Sequence, residues 1–246
     1  MSKKKEFKVF KKKQPFFNFI KIFLRMYYRR PRVVVIPDKV EEKAIFVSNH
    51  CSKQGPMILE VYLPYFHAKW GAHEMLGNYK TRFHYLRDVY YIQKKKAGKF
   101  SSTLKAGFEA FFSIYFYKGM KIIGTYQSAQ LLTTINNSIK VIENNIPVMI
   151  FPENSNDGYE DVIGEFFSGF VLLAERYYKK NQVDLPIYPM YFHEKKRLVV
   201  MGEPCYVQEY KKQGLDKDQI SDEFRKKVND LYFQIEAGKF DLPKKK

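Results

Sequence analysis

Cysteine is scarce in this chain, two in 246 residues. Cys51 and Cys205 have no cysteine neighbour and no metal-like spacing, so neither a disulfide framework nor a zinc site is implied and no metal ligand is assigned. A reducing, intracellular setting is the natural expectation. Long apolar runs are missing too. The strongest aromatic stretch near the amino terminus, residues 16–28, has 13 residues with two internal cations, against about twenty needed to span a bilayer. No small-residue cleavage site follows a clean apolar stretch, so a signal peptide is not expected. Acidic residues are outnumbered: 26 Asp and Glu face 43 Lys and Arg, for a formal net charge of +17. A field that positive favours anionic partners, whether nucleic acid, acidic lipid head groups or an acidic carrier protein. Drift of surface positions to lysine produces the same excess.

What is abundant is apolar and aromatic. At 45% hydrophobic and 17% aromatic, the chain has ample material for a buried core, and wholesale disorder is excluded. Strand-like runs fall at residues 33–36, 44–48, 67–72, 121–124, 146–151, 187–192 and 198–201. Helix-like periodicity falls at 55–64, 74–86, 99–118, 128–144, 166–178 and 214–235. In the clearest of these helices Leu131, Ile135, Ile139 and Ile142 share one face. Alternation of strands and helices argues for an α/β fold, a single domain with a mostly parallel sheet flanked by helices. Residues 1–30 read as a basic arm and an amphipathic membrane-interface helix, 31–240 as the α/β domain, and 241–246 as a basic tail. Within the first segment Phe16, Ile20, Phe23, Leu24 and Tyr27 fall on one helical face, with Asn18, Lys21 and Arg25 opposite. Followed by Arg29, Arg30 and Arg32, this segment is expected to be an interfacial anchor on an anionic leaflet.

Two segments carry the chemistry, Val47-Ser48-Asn49-His50-Cys51-Ser52 and Ile150-Phe151-Pro152-Glu153-Asn154-Ser155. Each is an apolar run that ends abruptly in polar residues, the way a buried parallel strand delivers side chains to the carboxyl edge of its sheet. His50 is the general-base candidate, because imidazole alone has an unperturbed pKa near neutrality. Asn49 and Ser52 flank it as local hydrogen-bonding groups. Glu153 follows Pro152, which fixes the backbone, and Asn154 and Ser155 add polar groups in a tight turn that Asp157 and Gly158 continue. A lone histidine or a lone loop carboxylate is commonly structural; it is the pairing at two strand ends that carries the reading. His67, His73, His84 and His193 read as structural or surface histidines.

Together these residues resemble a known family. Ser48-Asn49-His50-Cys51-Ser52 looks like the Asn-His-x-Ser block of the glycerolipid acyltransferases, the 1-acylglycerol-phosphate acyltransferase family. Phe151-Pro152-Glu153-Asn154-Ser155 resembles that family's Phe-Pro-Glu-Gly-Thr-Arg block. Leu185-Pro186-Ile187-Tyr188-Pro189 is similar to its later Val-Pro-hydrophobic block, and Ala72-His73-Glu74-Met75-Leu76 is faintly similar to its Ala-Lys-x-Glu-Leu. The blocks run in the family's order over residues 30–205. The resemblance implies an acyltransferase-like fold with a catalytic set of His50, Asn49 and Ser52, in which His50 removes the proton from a glycerol hydroxyl that attacks an acyl thioester. It further implies substrate binding by Glu153, Asn154 and Ser155, to which Lys53 and Thr125 are added as candidates, with acyl-CoA or an acyl carrier protein as co-substrate and no separate cofactor.

Three departures bear on that chemistry. The family pattern is H-x-x-x-x-D, and the fifth residue after His50 is Gly55. Thr125 stands where a block of the family carries an arginine. In the Phe-Pro-Glu block Asn154 replaces glycine, Ser155 threonine and Asn156 arginine. Lys53 and Lys94 to Lys96 are the candidates to replace the lost phosphate grip, and Glu60 or Glu74 to orient His50; if no group orients the ring, Gly55→Asp is expected to raise activity, to an extent limited by any positive φ at Gly55. The expected activity is transfer of a fatty acyl group from acyl-CoA or acyl carrier protein to a lysophospholipid-type glycerolipid, by a peripheral or monotopic protein on the cytoplasmic face of a membrane. The alternative is a catalytically impaired, acyltransferase-like membrane-binding protein. No recognition-helix, RNP or zinc pattern appears, so no specific nucleic-acid partner is expected.

Overall fold

Seven strands hydrogen-bond into one sheet: β1 (Arg32–Val35), β2 (Ile45–Ser48), β3 (Ala68–Ala72), β4 (Ile122–Thr125), β5 (Val148–Ile150), β6 (Ile187–His193) and β7 (Leu198–Met201). The computed structural model describes residues 7–51, 54–126, 130–154 and 158–241; the start of the basic arm and the tail from residue 242 lie outside them. Strand order is β1-β7-β6-β2-β5-β3-β4. Every neighbouring pair is parallel except β6 with β7, so β1 and β7 run against the other five. All residues of β2, β5 and β6 are buried. That is why these strands read as continuous apolar runs rather than as alternating ones.

Eight α-helices accompany the sheet among the described residues: α1 (Pro15–Tyr27), α2 (Gly55–Tyr62), α3 (Tyr79–His84), α4 (Lys99–Gly119), α5 (Leu131–Glu143), α6 (Gly169–Asn181), α7 (Val207–Lys212) and α8 (Lys217–Glu236). The two-residue period of the strands sorts side chains onto the two faces. Ile45, Val47, Val148, Ile150 and Ile187 pack with Ile135 of α5, Phe170 of α6 and Phe224 of α8. Phe46, Met149, Tyr188 and Met190 pack on the other face with Ile58 and Leu59 of α2. The architecture is three-layered α/β with a mostly parallel sheet. On α5, Ile135, Ile139 and Ile142 are buried as their periodicity requires.

Two helix expectations are corrected. Residues 74–86 do not form one helix. They divide into a 3-10 turn at His73–Leu76, then α3, then a π-helix at Tyr85–Lys94. Asn78 starts α3 afresh, its side-chain oxygen accepting the Thr81 N–H at 2.9 Å. The closing helix begins at Lys217 rather than 214, because Asp216 and Gln219 cap it reciprocally. Gly214, at φ +81°, turns the chain between α8 and α7, a helix the sequence reading missed.

Helix α1 also differs from its expected face. Phe17, Ile20, Lys21 and Leu24 turn inward, while Phe16, Phe19, Phe23 and Tyr27 are exposed. Phe17 lies so close to Gly119 that a β-carbon there would stand 2.3 Å from its ring. The hydroxyl of Tyr62 donates to Tyr28 O at 2.5 Å. Lys21, expected on the outer side, instead reaches Glu60 Oε1 at 2.7 Å.

Glu60 is the centre of a buried charge cluster. Lys69 leaves β3 on the same face as Met149, its in-register neighbour, and is 1% exposed. Its ammonium bonds the other carboxylate oxygen of Glu60, and His67 Nε2 stands 3.8 Å from that oxygen. Burial alone raises a carboxyl pKa; Lys69, His67 and Lys21 more than reverse it and hold Glu60 at about 2. His67 Nδ1 donates to Tyr65 O at 2.7 Å. Burial first, and then the Lys69 charge, lower the His67 pKa to about 3, so its ring is neutral at physiological pH.

The cluster sets two expectations. Glu60→Ala leaves Lys69 buried without its counter-charge and costs about 3–5 kcal/mol in urea unfolding, whereas replacing the whole ion cluster, Glu60→Leu with Lys69→Met and Lys21→Met, is near neutral or stabilising. Unfolding exposes His67, which then binds a proton below its ordinary 6.5, while the folded state takes none until about 3. Stability therefore falls as pH drops through that window, with up to about 1.4 kcal/mol per pH unit from this residue. That component is absent from His67→Gln.

Candidate functional site

Strands β2 and β5 are adjacent, parallel and in register, with Val47 opposite Ile150. Both chains therefore leave the sheet at the same carboxyl edge, one as Asn49-His50 and the other as Phe151-Pro152-Glu153-Asn154. There the His50 backbone N–H donates to Glu153 Oε2 at 2.9 Å. Residues 103 apart in sequence are thus joined at one point. The β5 turn is tied down in its own right. Glu153 bridges Phe166, Asn154 N–H donates to Glu165 O at 3.1 Å and Phe167 N–H to Pro152 O at 2.8 Å. The Asn154 side-chain amide donates to Glu165 Oε2 at 2.7 Å.

Glu153 is 9% exposed. Burial raises its pKa, the His50 and Glu160 backbone N–H groups oppose the rise, and the Glu160 charge adds to it. With its oxygens turned to backbone donors, Glu153 is a positioning group for His50. Asn49 acts in the same way. Only 1% exposed, it accepts the Phe192 N–H at 2.8 Å and donates to Phe192 O at 3.0 Å. The side chain thereby extends the β2–β6 ladder one step past the strand.

The His50 imidazole is held by aromatic rings. Tyr159 stacks on it at 4.8 Å with planes 15° apart, and Phe151 meets it edge-on at 5.3 Å. Tyr85 and Tyr90 of the π-helix and Tyr117 of α4 lie within electrostatic reach of Tyr159. Burial raises all three phenols, Tyr85 and Tyr90 to about 12, so they remain O–H donors at neutral pH. π-Helical segments are rare and gather at functional sites. Cys51, next to His50, is in the left-handed region at φ +42°, a strained conformation for a residue with a β-carbon. Its Sγ lies 3.9 Å from Glu194 Oε2. Burial, and then the Glu194 charge, push the thiol up to about 12; it is no thiolate nucleophile.

Several sequence expectations are revised by this geometry. Gly55 has no positive φ, but a β-carbon there would stand 2.2 Å from the His50 carbonyl oxygen. The fifth position after His50 has no room for any side chain, so Gly55→Asp disrupts the turn instead of completing it. Glu60 does not orient His50, since its carboxylate is committed to Lys21 and Lys69. Glu74 stands 3.2 Å from His73 Nδ1. The structure gathers Asn49, His50, Glu153 and Asn154. Thr125 is at the same edge but three strands from β2, roughly 14 Å away at the usual strand spacing. Ser52, Lys53 and Ser155 lie outside the described residues. Sequence reasoning missed Tyr159, Glu194 and the Phe192 backbone; only Tyr159 had a signal, as the aromatic just after the Asp157-Gly158 turn. Among the described residues no group of three or more His, Cys, Asp or Glu is placed to hold a metal ion.

Overpacking at Gly55 is directly measurable. Gly55→Ala is expected to lower the free energy of unfolding by about 1–3 kcal/mol. Gly164→Ala, where nothing lies within 4 Å of the added carbon, is expected to change it by less than about 0.5 kcal/mol.

No protein-family model matches this sequence, and no curated protein does. The likeness to the glycerolipid acyltransferases accordingly rests on the short motifs and their order, not on a match over the whole chain.

Proposed function

We propose that this protein is an acyltransferase working at a membrane surface, with His50 as general base. It moves a fatty acyl group from acyl-CoA or acyl carrier protein to the hydroxyl of a lysophospholipid-type glycerolipid. The observation that carries the reading is the meeting of the two resembling blocks, with the His50 N–H 2.9 Å from Glu153 Oε2 at the carboxyl edge. In the proposed reaction a His50 ring nitrogen takes the hydroxyl proton as the oxygen attacks the thioester carbonyl. Collapse of the adduct breaks the carbon–sulfur bond, the imidazolium returns the proton to the sulfur, and an ester and a free thiol leave.

Asn49 and Glu153 position His50 in this scheme. Ser52 completes the proposed catalytic set, and Lys53, Asn154, Ser155 and Thr125 are the groups proposed to meet the substrates. No helix among the described residues is long and apolar enough to cross a membrane; attachment is proposed to be peripheral, on the anionic cytoplasmic leaflet, through α1 with its exposed Phe16, Phe19 and Phe23. One observation favours the second reading, a membrane-binding protein without turnover: the place of the orienting aspartate is filled by backbone. In serine proteases, losing the orienting carboxylate costs about four orders of magnitude in rate.

Release of free thiol from acyl-CoA or acyl carrier protein, with lysophosphatidic acid in mixed micelles, separates the two. The parent protein is expected to release thiol. His50→Ala is expected to slow release by about 10²–10⁴-fold with donor binding unchanged, because the ring acts in the transition state. Equal rates in parent and variant end the role of His50. A parent inactive with both donors leaves the non-catalytic reading.

A further inference from the structure

Helix α4 is packed inside out. Its inward face is Ser102, Ala106 and Ala110, each fully buried against Met75, Leu86 and Tyr91. Its large residues point to solvent: Phe100 is 80% exposed, Phe108 71% and Phe111 59%, with Leu104, Phe112 and Tyr115 beside them. Spaced by three and four, these residues form one stripe along the helix. The stripe does not stop at α4. The Phe16 ring of α1 stands 6.4 Å from that of Tyr115, and from there the exposed Phe19, Phe23 and Tyr27 continue it. An exposed apolar surface made of two helix faces marks an interaction site.

The charges around it identify the partner. Lys95, Lys96 and Lys99 flank one end of α4 and Lys118 the other; Lys11 to Lys13 precede α1, and Arg25, Arg29 and Arg30 close it, all of them exposed. No acidic residue lies in α1. The one acidic residue of α4, Glu109, is half-buried and bonded by the Tyr91 hydroxyl at 2.5 Å. A second copy of this chain docking face to face would bring these cations against each other. A bilayer with anionic lipid takes up the rings at the acyl boundary and the cations at the head groups, each cation adding to the attraction.

We propose that α4 and α1 form a single two-helix face that lies on the anionic membrane, α4 inserting its aromatic stripe as deeply as α1. This deepens the membrane attachment proposed above and does not depend on acyl transfer. Two helices fix the orientation of the protein on the bilayer, where one helix leaves it free to roll. The inner side of α4 carries Tyr117, part of the tyrosine group beside Tyr159 and His50.

The experiment is co-sedimentation with phosphatidylcholine vesicles, with and without phosphatidylglycerol. Four proteins are compared: the parent, Phe108→Ser with Phe112→Ser, Phe19→Ser with Phe23→Ser, and Phe233→Ser as a control ring exposed on α8. All the substituted rings are exposed, so thermal melts are expected to match the parent; Phe100→Ser with Leu104→Ser repeats the test should the first α4 variant melt early. Expected are binding that needs phosphatidylglycerol, a loss of roughly tenfold or more in each helix variant, and none in the control. Loss in the α1 variant with parental binding by both α4 variants overturns this inference and leaves attachment through α1 standing. A parent that fails to bind anionic vesicles overturns both. Parental vesicle binding by the α4 variants, together with a dimer-to-monomer change in lipid-free buffer, assigns the face to a second copy and overturns the proposal.

Discussion

The arrangement of this site depends on one hydrogen bond. Where β2 ends, the chain leaves a fully buried strand, and the His50 N–H no longer has a ladder partner. An unpaired amide there would cost about 1–3 kcal/mol. Glu153 supplies the acceptor from the neighbouring strand's own turn, and a carboxylate acceptor makes the bond stronger than a neutral one. The same bond fixes two loops against each other, so the imidazole takes its place from the sheet and not from a mobile segment. The site is then only as rigid as the β2–β5 register, which three buried pairs of apolar residues secure.

A second constraint is the charge cluster around Glu60 of α2. Lys69 occupies a strand position that calls for an apolar side chain, and Glu60 is what makes it tolerable there. Through Lys21 the same carboxylate also fastens α1. Buried ion pairs of this kind add little net stability over a well-packed apolar replacement, yet breaking one partner is costly. Their effect here is positional: α1 is held by Lys21, by Phe17 against Gly119 and by Tyr62, so its outward face is set by the domain. An amphipathic segment tethered only by its sequence neighbours would present no fixed face. This one does, and it lines up with α4.

Much of the fold was legible because buried parallel strands have a distinctive signature. The runs at Ile45 to Ser48 and Val148 to Ile150 announced both the strands and their polar exits, and Ile135, Ile139 and Ile142 announced the buried side of α5. What failed was whatever depends on direction rather than composition. The helix at 74–86 is broken by the Asn78 cap, and the closing helix is started by Asp216. On α4 the pattern of apolar and aromatic residues does not by itself say which of them face inward. In fact the three small residues Ser102, Ala106 and Ala110, four apart, allow the closest packing and take the inward face. Glu60 is on the helix after His50 and could be weighed as its partner, but which side of α2 it occupies is a tertiary fact. Likewise the closure of Gly55 depends on where the His50 carbonyl turns, and the left-handed Cys51 between them turns it.

That closure bears on how a histidine base could act here. An orienting aspartate does two things: it fixes the ring and it stabilises the imidazolium formed in the transition state. The first has a visible substitute, since Tyr159 stacked on one face and Phe151 at the edge restrict the ring plane. The second has a weaker one. A cation over an aromatic face gains about 0.5–2 kcal/mol, whereas loss of the carboxylate in serine proteases amounts to roughly 5 kcal/mol in the barrier. Stacking thus replaces about one order of magnitude of some four. In the proposed reaction the aromatic cradle keeps His50 aimed but leaves it a modest base. Much of the rate must then come from holding donor and acceptor together, and a protein fixed on the bilayer by two helices is suited to supply that.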